Sequence, residues 1–492
     1  MTDQLHAEPV GLASIRSRAG AGLRWALVGN LVMKLGSFAL SLAMVRLLAP
    51  HDFGLYAVAL AANAFLIHVN DMGMIAATVQ WRGDVQPMAA TATSLAVGFS
   101  LGWYALFWLG APLLAHAAGS PDATPLVRIL TFTIVLDGIT AVSVGLIQRR
   151  FQQDRLMKAI AAGFVTNAAV SLTLAITGAG PYSFVLGALA QSLVVAAIVL
   201  RVARQPFRLG FDRVIARSLL RFGVPLALGL GVESVVMYSD AVIVGHVLGT
   251  VILGFYLLAF NISSWVPGMV GAAVRYVSVP AFSRLAEEEA GTFAHGVQRA
   301  LPLLIAFVAP VAAVMATLSP SLIHVLYGAH WVPAARALQF LAFVMVARMF
   351  TALVFDIQTG LGNTFVTVWL NLVWLTALVP ALWIGAHADG IRGLAIGHAL
   401  VALLVAIPFA GWLLHRAGVD MRPVLRGLRR PVLAGVLAGL VMAALAQVLP
   451  TPLTRLVLAG GAGGCVYLLV VVRDRRAVRE LLLGLAHRRA RA

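Results

Sequence analysis

The chain is poor in charge, poorer still in acids, and almost without cysteine. Only 11% of its 492 residues are charged, against 61% hydrophobic, and the mean hydropathy is +0.92. Soluble domains carry roughly 25% charged residues, so no water-soluble surface can be built from this chain and it reads as a polytopic membrane protein. The single cysteine, Cys465, excludes an internal disulfide and any cysteine-based metal site. A Walker loop, Gly-x-Ser-x-Gly and His-Glu-x-x-His are all absent, which removes the usual grounds for enzyme chemistry. Acids number 19 against 36 lysines and arginines, a formal charge of +17. In a soluble protein that excess would point to nucleic acid. Here the arginines sit at the ends of apolar segments, where membrane topology places them, and no nucleic-acid partner is expected. Arg16, Arg18 and Arg24 run straight into an apolar segment with no small-residue cleavage site, so residues 1–22 do not read as a cleavable signal.

What the chain has instead is long apolar runs. A helix needs about 20 apolar residues to span a bilayer. That window predicts fourteen spans, near 24–45, 55–79, 89–115, 126–148, 157–178, 182–200, 219–247, 251–280, 301–326, 337–360, 364–385, 392–414, 431–449 and 453–472. With the N-terminus inside, the cytoplasmic connections collect Arg149, Arg150, Arg155 and Lys158, then the cluster Arg201–Arg221. Arg284, Arg299 and the group Arg416–Arg430 follow, and then the basic tail from Arg473. The opposite side receives only Arg46, Arg336, Arg392 and Arg455. This asymmetry predicts that both termini lie in the cytoplasm. The tail is expected to rest on anionic lipid.

A phrase occurs twice: Gly54-Leu-Tyr-Ala-Val-Ala and Gly254-Phe-Tyr-Leu-Leu-Ala, each after a long apolar segment and a short turn. We read it as an internal duplication. The expected organisation is a cytoplasmic segment 1–23, an N-lobe 24–203 of six spans, a basic linker 204–218, and a C-lobe 219–416 of six spans. An appended pair of spans, 417–472, and a basic tail, 473–492, complete it. Two six-helix lobes of like orientation are related by an axis along the membrane normal, which suits a central cavity opening to alternate sides.

Ionisable residues inside spans are costly and mark function or pairing. Asn30, Lys34, Ser37 and Ser41 are spaced four, three and four, hence on one helical face. Lys34 is read as a cation lining a cavity, with pairing to Asp71 or Asp137 the structural alternative. Arg275 and Arg348 are the matching cations of the second half. For Arg275 the alternative is snorkelling; for Arg348 it is pairing with Asp356. Cations from both halves suit an anionic headgroup, since arginine offers phosphate a fork and lysine a point charge. Glu233 and Asp240, seven apart in the span opening the second half, are candidates with Asn371 for coupling to H+ or Na+. Serving as counter-ions is their structural alternative. No other cofactor and no metal site is expected. The histidines, His68, His330 and His387 among them, are weak signals, and Glu287–Glu289 reads as a solvated face.

Arg46-Leu-Leu-Ala-Pro-His-Asp-Phe-Gly-Leu-Tyr56, followed by Asp71-Met-Gly73 and Gln80, resembles the N-terminal signature of Wzx-type lipid-linked oligosaccharide flippases of the MATE-like superfamily. Ile147–Phe151, Pro280–Arg284, Tyr327–Trp331 and Gly390–Ala395 resemble the family's segments after spans four, eight and nine and at the opening of span twelve. The resemblance implies two six-helix lobes around a cationic cavity that works by alternating access. The implied cargo is an undecaprenyl-pyrophosphate-linked oligosaccharide repeat unit, moved from the cytoplasmic to the periplasmic leaflet of the bacterial inner membrane. Membrane lipids surround it, and a separate polysaccharide polymerase and export machinery would act downstream. Lys34, Arg275 and Arg348 are chosen from span position and match no family motif. A lipid II flippase is the nearest alternative, although the acidic-basic signature of its first two spans is not found here. A multidrug exporter of the same superfamily would be expected to have an anionic or aromatic pocket. A membrane-bound polymerase would need larger external loops.

Overall fold

The computed structural model describes residues 29, 32–70, 74–81, 85–150, 152–203, 208–269, 290–361 and 364–472. Among them all regular structure is helical. That is what hydrocarbon requires, because a helix satisfies its backbone groups within itself. Nine helices among the described residues are long and apolar enough to cross a membrane, and shorter apolar helices lie at Tyr238–Leu248 and Thr250–Ser263. The chain divides into two compact units at Val251.

In the first unit, α1 (residues 32–47) leads into α2 (Pro50–Asn70), α3 (Met74–Gln80) and α4 (Val85–Ala117). Then follow α5 (Thr124–Thr131), α6 (Thr133–Arg149), α7 (Gln153–Ile176), α8 (Tyr182–Ala203) and α9 (Arg213–Leu248). Small and flexible residues fill the interior: Met74, Met88, Ala92, Ala96 and Ala141 are buried together with Leu219 of α9. Polar side chains join helices where lipid offers no other partner. Asn167 Nδ2 donates to Gln191 Oε1 at 2.9 Å, and Ser171 Oγ donates to Asn167 Oδ1 at 2.8 Å. Two arginines of the first basic connection bind helix ends. Arg149 donates to the Trp81 carbonyl at 2.8 Å, and Arg150 donates to that of Ala203 at 2.9 Å. These carbonyls lack an intrahelical donor, and a cation there also opposes the helix dipole. The helix α9, counted in the second half by the repeat, packs against α2 and α4 of the first unit.

The second unit contains α10 (Thr250–Ser263), which crosses the division, α11 (Ala290–Tyr327), α12 (Ala335–Gly360) and α13 (Thr364–Val401). A π-helical turn, Ala402–Ala406, leads to α14 (Ile407–Arg416). Then come α15 (Met421–Val448), a second π-helical turn at Arg455–Ala459, and α16 (Gly460–Val472). The run α13 is two legs of a hairpin. Its backbone leaves the helical region at Asp389 and Gly390, where φ is +55°. That is a conformation glycine adopts at little cost. Beyond the break the legs touch backbone to backbone: a Cβ on Gly385 would strike the Gly393 carbonyl, and one on Gly393 would strike that of Gly385. This is the close approach that small residues permit between membrane helices. The pair α15 and α16 packs on α11 through Ala434, Ala438, Met442 and Tyr467, whose hydroxyl donates to the Ala306 carbonyl at 2.6 Å.

Candidate functional site

The polar centre of the second unit is built on α10. Tyr256, Phe260 and Ser264 are spaced four and four, so they form one stripe running just past the helix end. That stripe meets α12 through Arg348. One guanidinium nitrogen donates to Ser264 Oγ at 3.3 Å, and its carbon lies 5.2 Å from the Phe260 ring centre, within the range of a cation–π contact. The same stripe meets α13 through His398, whose Nδ1 is 3.4 Å from the Tyr256 hydroxyl. His398 is buried, and Tyr256 stacks on Phe260 with ring centres 6.3 Å apart. Further along α12, Asp356 and Gln358 are also buried, and Gln358 donates to the Leu413 carbonyl at 3.3 Å. Arg348 itself is half-buried. The aromatic face and the hydroxyl are two of the contacts that fix where this guanidinium sits.

The sequence singled out Arg348 but not Ser264, Tyr256 or His398. His398 was legible as a histidine inside the span 392–414, and intramembrane ionisable groups merit a functional reading. Tyr256 stood inside the repeated phrase, where it was read only as a marker of duplication. Its counterpart Tyr56 has a different environment and stacks on Phe184, with ring centres 4.4 Å apart.

The remaining candidates lie on α1, α9 and α13 or outside the described residues. Lys34 lies on α1 with an exposed side chain, and Ser37 beside it donates to the Met33 carbonyl at 2.8 Å. No ion pair joins Lys34 to another described residue; Asp137, its described alternative partner, is itself exposed. Asp240 is buried in α9, and its Oδ1 accepts from the Ala241 amide at 2.8 Å. Asn371 is half-buried in α13. Glu233 is on α9, but its side chain lies outside the described residues, as do Asn30, Arg275 and Asp71 altogether. Among the described residues no cluster of histidine, cysteine and acids could hold a metal ion.

A second polar constellation closes one end of the first unit. It lies where α4 ends and where α2 and α10 begin, at the end of the helices away from Arg149 and Arg213. Ser120 and Thr250 share a hydroxyl hydrogen bond of 2.7 Å, and the His246 Nδ1–H donates to the Ala117 carbonyl at 2.9 Å. Backbone is pressed to backbone beside them. A Cβ on Gly119 would sit 2.6 Å from the Gly245 carbonyl oxygen, and one on Gly54 would strike the carbonyl of Thr250. Gly54 opens the first copy of the repeated phrase, so the phrase marks a contact as well as a duplication.

The sequence profile of a family described as polysaccharide biosynthesis protein matches residues 43–336. The succinoglycan biosynthesis transport protein ExoT of Rhizobium meliloti (strain 1021) is 25% identical over 480 residues, covering 94% of each chain. The lipopolysaccharide biosynthesis protein WzxC of Escherichia coli (strain K12) is 22% identical over 407 residues, covering 80% of each. Among solved structures, the lipid II flippase MurJ in an inward closed conformation superposes with a TM-score of 0.72 at 13% identity, over 92% of this chain and 98% of that one. An inward-facing MATE-family multidrug resistance transporter gives 0.64 at 18% identity, over 80% and 98%. These two likenesses establish the fold.

Proposed function

The chain belongs to the polysaccharide biosynthesis protein family, and from that premise we propose that it is a flippase for a lipid-linked oligosaccharide repeat unit. The observation that carries this reading is the match to ExoT, which extends over 94% of both chains. Its work is transport and not bond chemistry. The cargo is the product of cytoplasmic sugar assembly on a polyprenyl pyrophosphate, delivered to the periplasmic leaflet for polymerisation and export. The protein is accordingly assigned to the bacterial inner membrane, with both termini cytoplasmic.

Taking a pyrophosphate-sugar headgroup through hydrocarbon is prohibitive unless protein groups replace its water. Arg348, steadied by Ser264 and Phe260, is assigned to the pyrophosphate, with Lys34, Arg275 and Asn30 as the further members of the cationic lumen. Asp240, Glu233 and Asn371 are assigned to coupling by H+ or Na+. The seam of Ser120, Thr250, His246 and Gly54 holds the non-cytoplasmic end shut while the headgroup loads from the other side. Alternating access requires that seam to part. The likeness to MurJ supports the helical architecture and leaves the choice of cargo to the sequence relatives.

Deleting the gene and locating the lipid-linked oligosaccharide tests the reading. Spheroplasts treated with a membrane-impermeant sugar-modifying reagent should show complete repeat units trapped in the inner leaflet. Single units that reach the outer leaflet normally and fail to polymerise would contradict a flippase and point to a polymerase.

A further inference from the structure

The N-terminal stretch of α15 carries a feature that the transport reading does not use. Arg422, Arg426, Arg429 and Arg430 are spaced four, three and one, and all four are exposed. At about 100° per residue, they centre on the side of the helix opposite Val424, Pro431, Ala434, Ala438 and Met442, which are buried. The arginines therefore point away from the bundle along a rise of about 12 Å. The same outward face continues as Leu433, Val436, Leu437 and Leu440, all exposed. Read along the helix, it is cationic and then aliphatic. That order matches a lipid standing beside it, headgroup first.

Two neighbouring observations fix the level of that headgroup. At the end of α14, four residues of chain before α15 begins, the Arg416 guanidinium lies 4.8 Å from the Trp412 ring centre, and both side chains are exposed. An exposed tryptophan under an arginine is characteristic of the membrane interface. The local charge is also uncompensated by sequence. Asp420 is the one acid between Asp389 and Asp474, and its Oδ1 is engaged in capping α15 by accepting from the Arg422 amide at 3.0 Å.

We infer that this outward face of α15 is a docking surface for an anionic phospholipid of the surrounding leaflet, its phosphate held by Arg422, Arg426 and Arg429 and its chains lying on Leu433, Leu437 and Leu440. The guanidinium fork fits phosphate oxygens in pairs. A convex helix side open to the bilayer favours the membrane's own lipid over the transported headgroup, whose sugars need an enclosed aqueous path. The bound lipid holds the appended helix pair at a fixed depth beside α11. The inference stands independently of the transport reading.

The test uses the purified full-length protein in nanodiscs of phosphatidylcholine, titrated with cardiolipin. The readouts are lipid retained in native mass spectrometry and the shift in Tm. Wild type should retain cardiolipin and melt several degrees higher. R422Q/R426Q/R429Q should lose both effects. R208Q/R213Q/R217Q removes as many exposed arginines from the first unit and should keep both. Equal loss in the two triple variants would reduce the effect to bulk electrostatics and overturn the site, as would no loss in the first. If the glutamine variant fails to fold, R422K/R426K/R429K serves, since it keeps the charge and removes the forks: weakened retention supports the site and unchanged retention overturns it. One-for-one displacement of cardiolipin by undecaprenyl pyrophosphate would overturn it too, by making the face a substrate site.

Discussion

In the proposed mechanism Arg348 is the residue that meets the pyrophosphate. A hydrogen bond to a charged group contributes about 1.5–3 kcal/mol, and each 1.4 kcal/mol corresponds to roughly tenfold. Arg348→Ala is therefore expected to lower polymer export by roughly tenfold or more at near-normal protein level, measured as exported polysaccharide against immunoblotted membrane protein. Arg348→Lys should keep part of the activity, because the charge remains and the fork is lost. Lys34→Ala should lower export in the same assay; if both alanine variants export normally, the cationic lumen is wrong. Asp240 is buried in α9 with its carboxylate on the Ala241 amide. Asp240→Asn should abolish any dependence of flipping on a proton or sodium gradient, measured in vesicles with and without ionophores. Gradient dependence that survives the substitution removes Asp240 from coupling.

At the scale of elements, the seam between the end of α4 and the start of α10 makes the sharpest claim. Cys465 is the chain's one cysteine, so Cys465→Ser gives a clean background for S120C/T250C. With the hydroxyls 2.7 Å apart, the two thiols should cross-link on oxidation. Cross-linking should stop export, and a reductant should restore it. Undiminished export by the oxidised protein would show that this end never needs to part. Gly54→Val should lower the Tm of the purified protein, because its Cβ meets the Thr250 carbonyl and overpacking costs about 1–3 kcal/mol. The all-helical architecture was legible in the sequence. Each of the fourteen expected ranges overlaps described helix, since twenty apolar residues leave few alternatives. The two ranges 364–385 and 392–414 are the two legs of one hairpin, folded at Gly390. The seam was not legible, because it joins Ser120 to Thr250 across 130 positions through two small hydroxyls and no periodicity reports such a meeting. Ser264 escaped as a partner of Arg348 for the same reason, because the two meet only when α10 and α12 pack.

For the molecule as a whole, the duplicated phrase, the steep asymmetry of arginines and the match to ExoT over 94% of both chains converge on one activity. It is the movement of a saccharide-bearing lipid between leaflets. The sugar itself is written in no motif, because headgroup recognition depends on the shape of an enclosed space. The most direct measurement is flipping by the purified protein alone. Proteoliposomes would carry a polyprenyl-pyrophosphate-linked oligosaccharide in both leaflets, with access probed by an impermeant sugar-modifying reagent. The account predicts that wild-type protein exposes nearly all of the lipid with time, whereas Arg348→Ala liposomes stay near the outer-leaflet share seen without protein. Wild-type liposomes that never exceed that share would contradict it.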